Sequence, residues 1–344
     1  MARQRTKSGK ARLTEVAALA GVSLTTASRF FRTPEALTPG KRERVSSAAN
    51  KLGYEPDLAA RALASQRTEV IGVLIPSLTN NVFTDVLRGV YDASDGSRFS
   101  IQLVNTHYSV LQEEKLLRLF RAQRPAGLIV TGINQTPESR AVMESMDCPI
   151  VQIMELGPDP VDMMVGFSHN DAAIAAVTHL VEQGRKRIGF LGARMDPRVQ
   201  RRLEGYRDAM KSAGLLDPRL IITTPTPTSV SMGGALFGDL LSRAPDIDAV
   251  FCINDDLALG ALFECQRRQI GVPDDIAIVG FNDLEYVAAA VPPLSSVRTN
   301  RYEMGRDAIT MLIQAIGGER PANTVIDLGF KLMVRESSTV RRGP

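Results

Sequence analysis

From Val70 onward the chain alternates short, nearly continuous apolar runs with longer stretches whose apolar residues recur every three or four positions. The runs are VIGVLIP, FSIQLVNTH, AGLIVTG, PIVQIM, RIGFLGA, LIITTP, AVFCIND and IAIVGF. Runs of this length predict strands buried on both faces, and amphipathic stretches such as 171–183, 199–213 and 255–268 predict the covering helices. Alternation of this kind predicts parallel sheets in an α/β fold. There are too many strands for one simple half. Two similar lobes are therefore expected, about 69–166 with 297–325 and about 167–296 with 326–340, the last residues crossing back between them.

Residues before Val70 follow a different pattern. Val16, Ala17, Leu19 and Ala20 recur at helical spacing from about Thr14, and Gly21 follows where a left-handed turn residue is wanted. Ser23 has the chemistry to cap a second helix, which runs to about Phe31 with Ala27, Phe30 and Phe31 on its apolar side. Thr25, Thr26, Ser28 and Arg29 are left to project outward. A third helix is predicted from Thr38 with Pro39 at its first position, its apolar side including Val45, Ala48 and Leu52. Gly53 and Pro56 end it. Two short helices joined by a tight glycine turn point to a helix-turn-helix over 13–56, with any small three-helix domain as the plainer alternative. Hydroxyls and one arginine on the outward face suit phosphates and base edges better than a plain solvated face would.

Charge sharpens this division. Residues 1–68 hold 13 Lys and Arg against 5 Asp and Glu, a balance of +8, whereas the remainder holds 28 against 33, a balance of −5. A basic head on a mildly acidic body points to a polyanion partner for the head, although a basic tail on an enzyme would give the same asymmetry. The opening MARQRTKSGKAR reads as a disordered basic arm, 1–12, with no apolar stretch behind it to make a secretory signal. No run is long and apolar enough to cross a membrane. Cys148, Cys252 and Cys265 lack CxxC spacing and fit free thiols in a reducing cytoplasm.

In parallel sheets ligands bind beyond the carboxyl ends of the strands. Here those ends carry PSLTNNVF, RMDPRVQRRLEGY with its close arginines, NDD after AVFCI, and ND after IAIVGF. Neither a GxGxxG after a strand nor a GxxxxGK[ST] occurs, so nucleotide binding has no local support. His107, His169 and His179 are spread out without metal-ligand spacing. The Ser-His pair of GFSHND would point to opposite faces of a strand and cannot pair nucleophile with base. No enzyme, cofactor or metal is expected. A transport protein would share the body but not the head.

The segments LTEVAALAGVSLTTASRFF and GYEPDLAARALAS resemble the DNA-binding head of the lac repressor family. The resemblance implies that Leu24, Thr25 and Arg29 read bases, while Ser23, Thr26, Ser28 and Tyr54 hold phosphate or the groove edge. Leu24 departs from the polar or aromatic residue often found there; it can touch a thymine methyl but cannot hydrogen-bond. Residues 57–68 read from composition as a linker or a marginal helix. The resemblance makes them a hinge helix that folds when two copies meet on operator DNA, with Leu63 wedged into the minor groove.

The body resembles the periplasmic-binding-protein-like, two-lobed body of the same family. This implies an effector held by Asn80 with neighbouring Phe83, by Arg202 ahead of Gly205-Tyr206, by Asn254 and by Asn282. Aspartate is common at the last position and would repel an acid; Asn282 would not, and Arg202 would attract a carboxylate. IGVLIPSLTNNVFTDVLRGV, GFLGARMD and AVFCINDDLALGALFECQ resemble the gluconate-operon repressors of that family. Gluconate is thus the implied inducer, with 2-ketogluconate, 6-phosphogluconate or another sugar as alternatives. The expectation is a cytoplasmic, sequence-specific repressor of sugar-acid catabolism genes, released from a pseudo-palindromic operator by its effector. The polar ending VRESSTVRRGP has no leucine heptads, so a homodimer is expected and not a tail-linked tetramer.

Overall fold

The computed structural model describes residues 11–31, 34–55 and 68–339. The basic arm up to residue 10, Pro56, and Leu63 with the rest of the expected hinge up to residue 67 lie outside the described residues. Two units divide the chain, residues 1–68 and 69–344.

In the head, α1 (Leu13–Ala20), α2 (Leu24–Phe30) and α3 (Pro39–Leu52) form where the pattern placed them. Gly21 stops α1 at φ 62° and Gly53 stops α3 at φ 57°, left-handed conformations that cost a residue with a Cβ. Ser23 starts α2: its Oγ accepts from the Thr26 backbone N–H at 3.2 Å. Val16, Ala17, Ala20, Ala27, Val45, Ala48 and Ala49 are buried together, with Leu13, Val22, Phe30, Phe31 and Tyr54 packed around them. Leu19 and Leu52 depart from expectation, being 54% and 36% exposed. An eight-residue helix presents one narrow stripe, here Leu13, Val16, Ala17 and Ala20, and Leu19 falls about a third of a turn from its centre. At Leu52, the last residue of α3, Ala48 and Ala49 already fill the buried side.

The body carries two six-stranded sheets. Its first lobe opens with β1 (Val70–Ile75), α4 (Val82–Ser94), β2 (Ser100–Asn105), α5 (Val110–Gln123) and β3 (Gly127–Thr131). It continues with α6 (Pro137–Glu144), β4 (Ile150–Ile153) and β5 (Met163–Gly166). The second lobe holds α7 (His169–Glu182), β6 (Ile188–Ala193), α8 (Pro197–Ser212), β7 (Ile221–Thr224) and α9 (Val230–Arg243). After these come β8 (Ala249–Cys252), α10 (Asp255–Arg268), β9 (Ala277–Asn282), α11 (Glu285–Ala288) and β10 (Ser295–Thr299). The chain then returns to the first lobe through α12 (Arg301–Ile316) and β11 (Val325–Asp327), and ends its second-lobe sheet with β12 (Phe330–Met333). The sheet orders are β11-β5-β4-β3-β1-β2 and β12-β10-β9-β8-β6-β7. All pairs are parallel except β10–β12, which is antiparallel.

The crossings between lobes fall slightly later than the apolar pattern suggested. β10 keeps pairing with β9 as far as Arg298 opposite Asn282, so 297–299 stay in the second lobe. β11 pairs with β5 through Asp327 opposite Gly166, so 326 and 327 stay in the first. No long apolar run marks either place, β10 being SSVRT and β11 only VID, and a ladder needs only N–H and C=O groups. Where α4 and α12 cross in the first lobe, Gly89 and Gly305 face each other's backbones, the carbonyls of Tyr302 and Val86 respectively.

Candidate ligand cleft and nucleic-acid interface

The outward face of α2 is set by the one buried side chain of that helix, Ala27. Leu24 (49% exposed), Thr25 and Arg29 stand in solvent, while Thr26 and Ser28 are half-buried. Ser23 and Thr26 also bond each other, hydroxyl to hydroxyl at 2.9 Å. The ring of Tyr54 packs on Phe31 with centroids 5.3 Å apart, so this side chain has a place beside the head's core. No acidic residue lies in the first turn of α2. Its amide ends and hydroxyls are thus unopposed toward an anion.

In the body, the five expected ligand residues fall into two groups. Arg202, Asn254 and Asn282 belong to the second lobe and are joined through their neighbours. The Arg202 guanidinium lies 3.7 Å over the ring of Phe281, the residue before Asn282. Its Nη1 donates to the carbonyl of Ile253, the residue before Asn254, and its Nε donates to His169 Nδ1 at 3.2 Å. Asn254 caps α10, its Oδ1 accepting from the Leu257 N–H at 3.0 Å, which leaves its Nδ2 as the part to offer a ligand. Asn282 closes β9 at φ 110°, and its carbonyl accepts from Arg301 Nη1.

Asn80 and Phe83 belong to the first lobe. Asn80 Oδ1 accepts from Val82 N–H at 3.1 Å and its Nδ2 donates to the Tyr108 hydroxyl at 3.1 Å. Phe83 is buried in α4. Arg198 of α8 links this group to the second lobe, its Cζ 5.9 Å from the Phe83 ring centroid and 6.0 Å from that of Tyr108. A cavity of about 110 Å³ lies at this meeting, lined among others by Tyr108, Glu113, Asn134, Gln135, Asp196 and Arg198. A larger open groove follows β7 and α9, away from these strand ends.

The structure adds residues that sequence reasoning did not name as site residues. Glu155, just beyond β4, is buried and 3.2 Å from Arg201 Nη1. Burial pushes its carboxyl up to about 7, against the pull of Arg201, Arg198 and Arg202. His169 is fully buried, and desolvation together with the Arg202 charge holds its pKa well below the usual imidazole range. Burial also lowers Arg202 to about 10, leaving it charged at neutral pH. For Asp196, burial opposes ionisation, but Arg198 and the Val199 amide outweigh it and hold the carboxyl below its ordinary value. Arg201 bonds Asn134 across the lobes at 2.9 Å. The cluster of arginines in RMDPRVQRRLEGY was the visible signal, and Asp196 stands within it; Glu155 and His169, which face it, lay far off in sequence. Among the described residues no group of His, Cys, Asp and Glu could hold a metal ion, and no helix is long and apolar enough to cross a membrane.

Glu155 makes stability depend on pH. Its folded value, about 7, exceeds the unfolded 4.5, so the folded chain holds a proton that the unfolded chain lacks between those values. Its favourable contribution is complete below the unfolded value and is lost as pH rises through the folded one. Glu155→Gln is expected to raise stability by roughly 1–3 kcal/mol at about pH 8 and to change it little at about pH 4. Urea unfolding of both proteins at the two pH values checks this; an equal effect at both would refute it.

A family model for bacterial regulatory proteins of the lacI family matches residues 12–57, and one for periplasmic binding protein-like domains matches residues 177–338. The HTH-type transcriptional regulator GntR of Pseudomonas aeruginosa is 42% identical over 330 residues, covering 96% of each chain. The chain belongs to the lacI family. As a member of it, the protein is a DNA-binding transcriptional repressor. Two solved lacI-like structures agree with the fold. The transcription regulator GntR of Chromobacterium violaceum aligns with TM-score 0.76 at 43% identity, covering 78% of this chain and 99% of its own. A LacI family regulator of Silicibacter pomeroyi aligns with TM-score 0.86 at 31% identity, covering 96% of this chain and all of its own. The head and the two-lobed body are thus the two parts of a lacI-family repressor.

Proposed function

We propose that this repressor controls sugar-acid catabolism genes in the cytoplasm and leaves its operator when an aldonate of the gluconate type enters the cleft. One observation carries the ligand class. Arg202 is buried and charged, its Nε and Nη1 are committed to His169 and Ile253, and the nearby strand ends carry the amides Asn254 and Asn282. A carboxylate there gains a charge-assisted pair with Arg202 and meets no repelling aspartate at Asn282. Amides at Asn80, Asn254 and Asn282 can exchange hydrogen bonds with the hydroxyls of a polyol. 2-Ketogluconate and 6-phosphogluconate share this chemistry and are the closest alternatives.

On DNA, Leu24, Thr25 and Arg29 would read bases while Ser23, Thr26, Ser28 and Tyr54 hold the backbone. Two copies would bind a pseudo-palindrome, with Leu63 of each hinge opening a base step in the minor groove. Effector and operator then oppose each other through a coupling of about 1–3 kcal/mol. Calorimetric titration with gluconate, 2-ketogluconate, 6-phosphogluconate and neutral glucose tests the ligand class. Heat from one of the acids and none from glucose is expected; heat from glucose alone would overturn the reading.

A further inference from the structure

His169 sits where the chain first crosses between the lobes, and it touches both. Its Nε2 is 2.8 Å from the carbonyl oxygen of Met154, at the end of β4 in the first lobe. Its Nδ1 is 3.2 Å from Nε of Arg202, on α8 of the second lobe. A carbonyl only accepts and a guanidinium only donates. The imidazole therefore carries its proton on Nε2 and a lone pair on Nδ1. Either a proton moved to Nδ1 or a doubly protonated ring would set two donors face to face at Arg202. The ring is fixed by Phe167, with centroids 4.3 Å apart, and by Phe281, 5.9 Å away and stacked, which also lies under Arg202. The charged groups around it are Arg202, Arg198, Arg201 and Glu155, the last with Oε2 3.9 Å from Nε2.

We propose that His169 is the positioning residue for Arg202, fixing through Nδ1 which nitrogens of the guanidinium remain for a ligand. With Nε given to His169 and one N–H of Nη1 to Ile253, Nη2 keeps both of its N–H groups to meet a carboxylate. The same ring, through its separate Nε2 bond, ties Arg202 to Met154, so a change in lobe orientation reaches the ligand-binding arginine through one side chain. This inference rests on the reading of Arg202 as the effector's carboxylate partner.

Two substitutions separate the two bonds. Asn places its Oδ1 about where Nδ1 stands and can accept from Arg202, but does not reach Met154. Gln places its Nε2 about where the ring Nε2 stands and can donate to Met154, but offers Arg202 no acceptor. Gluconate titration is expected to find His169→Asn within about threefold of the parent and His169→Gln weaker by about tenfold or more, the worth of a hydrogen bond to a charged group. Operator affinity without ligand should be the same for both. Equal losses, or a larger loss for Asn, would overturn the proposal. Nitrogen-15 NMR of the imidazole gives a reading independent of ligand and of variant folding. His169 should hold its proton on Nε2, with Nδ1 bare, from about pH 8 down to about pH 6. A proton on Nδ1, or titration in that range, would overturn it. If the parent gives no heat with gluconate, the titrations are run with whichever of 2-ketogluconate and 6-phosphogluconate does; if none of the three acids gives heat, the ligand reading fails, and the NMR result alone decides the role of His169.

Discussion

Arg202→Ala is expected to leave a repressor that binds its operator within about twofold of the parent yet no longer responds to gluconate. The expected loss of effector affinity is about 100-fold or more, the range found when one partner of a buried, hydrogen-bonded charge pair is truncated. The side chain is only 7% exposed and has three anchors, namely the Phe281 ring, the Ile253 carbonyl and His169 Nδ1. Removing it takes away the charge that a carboxylate would meet and frees two acceptors to hold water in its place. Folding should suffer less than ligand binding. A buried guanidinium already bears a desolvation cost, visible in its pKa lowered to about 10. Calorimetry and operator-binding curves on the same preparation separate the two effects. Normal induction by the variant would remove Arg202 from the site and the aldonate reading with it.

Gly305→Val should damage the first lobe itself, by about 3 kcal/mol or more. A Cβ at Gly305 would meet the carbonyl of Val86 and the amide of Val90, and one at Gly89 would meet the backbone of Tyr302 and Arg306. Both neighbours are helix backbone, so no side chain can swing aside; α4 and α12 must separate. That separation would open the cluster that Val86, Val90, Met304 and Ile309 share. Gly40 is the control, since a Cβ there meets nothing within 4 Å. Gly40→Ala in the head should be neutral or gain about 0.5–1 kcal/mol. Urea unfolding compares the two, and a Gly305→Val loss no larger than the Gly40→Ala change would contradict the close crossing.

How much of this was legible beforehand depends on the range of the interaction. The head could be read because its signals are local: Gly21, Ser23, Pro39 and Gly53 act within a few residues of themselves. Leu19 was misassigned because a spacing of three or four does not say which side of so short a helix is filled. Eight strands, β1–β4 and β6–β9, were legible as apolar runs, but β5, β10, β11 and β12 were not, being three to five residues long or polar, and the crossings near 299 and 327 were hidden with them. In the cleft, Arg202, Asn254 and Asn282 stand in recognisable motifs beside strand ends. Glu155 and His169 do not, because they reach Arg201 and Arg202 only through the crossover that brings residues 33 and 46 positions apart together. The positive φ of Asn282 and of Asp283 was equally hidden, as neither residue is a glycine.

The central claim is that a sugar acid in the cleft releases the head from DNA. It is tested most directly by fluorescence anisotropy of labelled operator, selected by the protein itself, as ligand is added to the complex. The account predicts that gluconate or a close aldonate lowers the anisotropy to that of free DNA, that neutral glucose does not, and that Arg202→Ala abolishes the response. Release by glucose with none by any of the acids, or undiminished release from the Arg202→Ala complex, would contradict it.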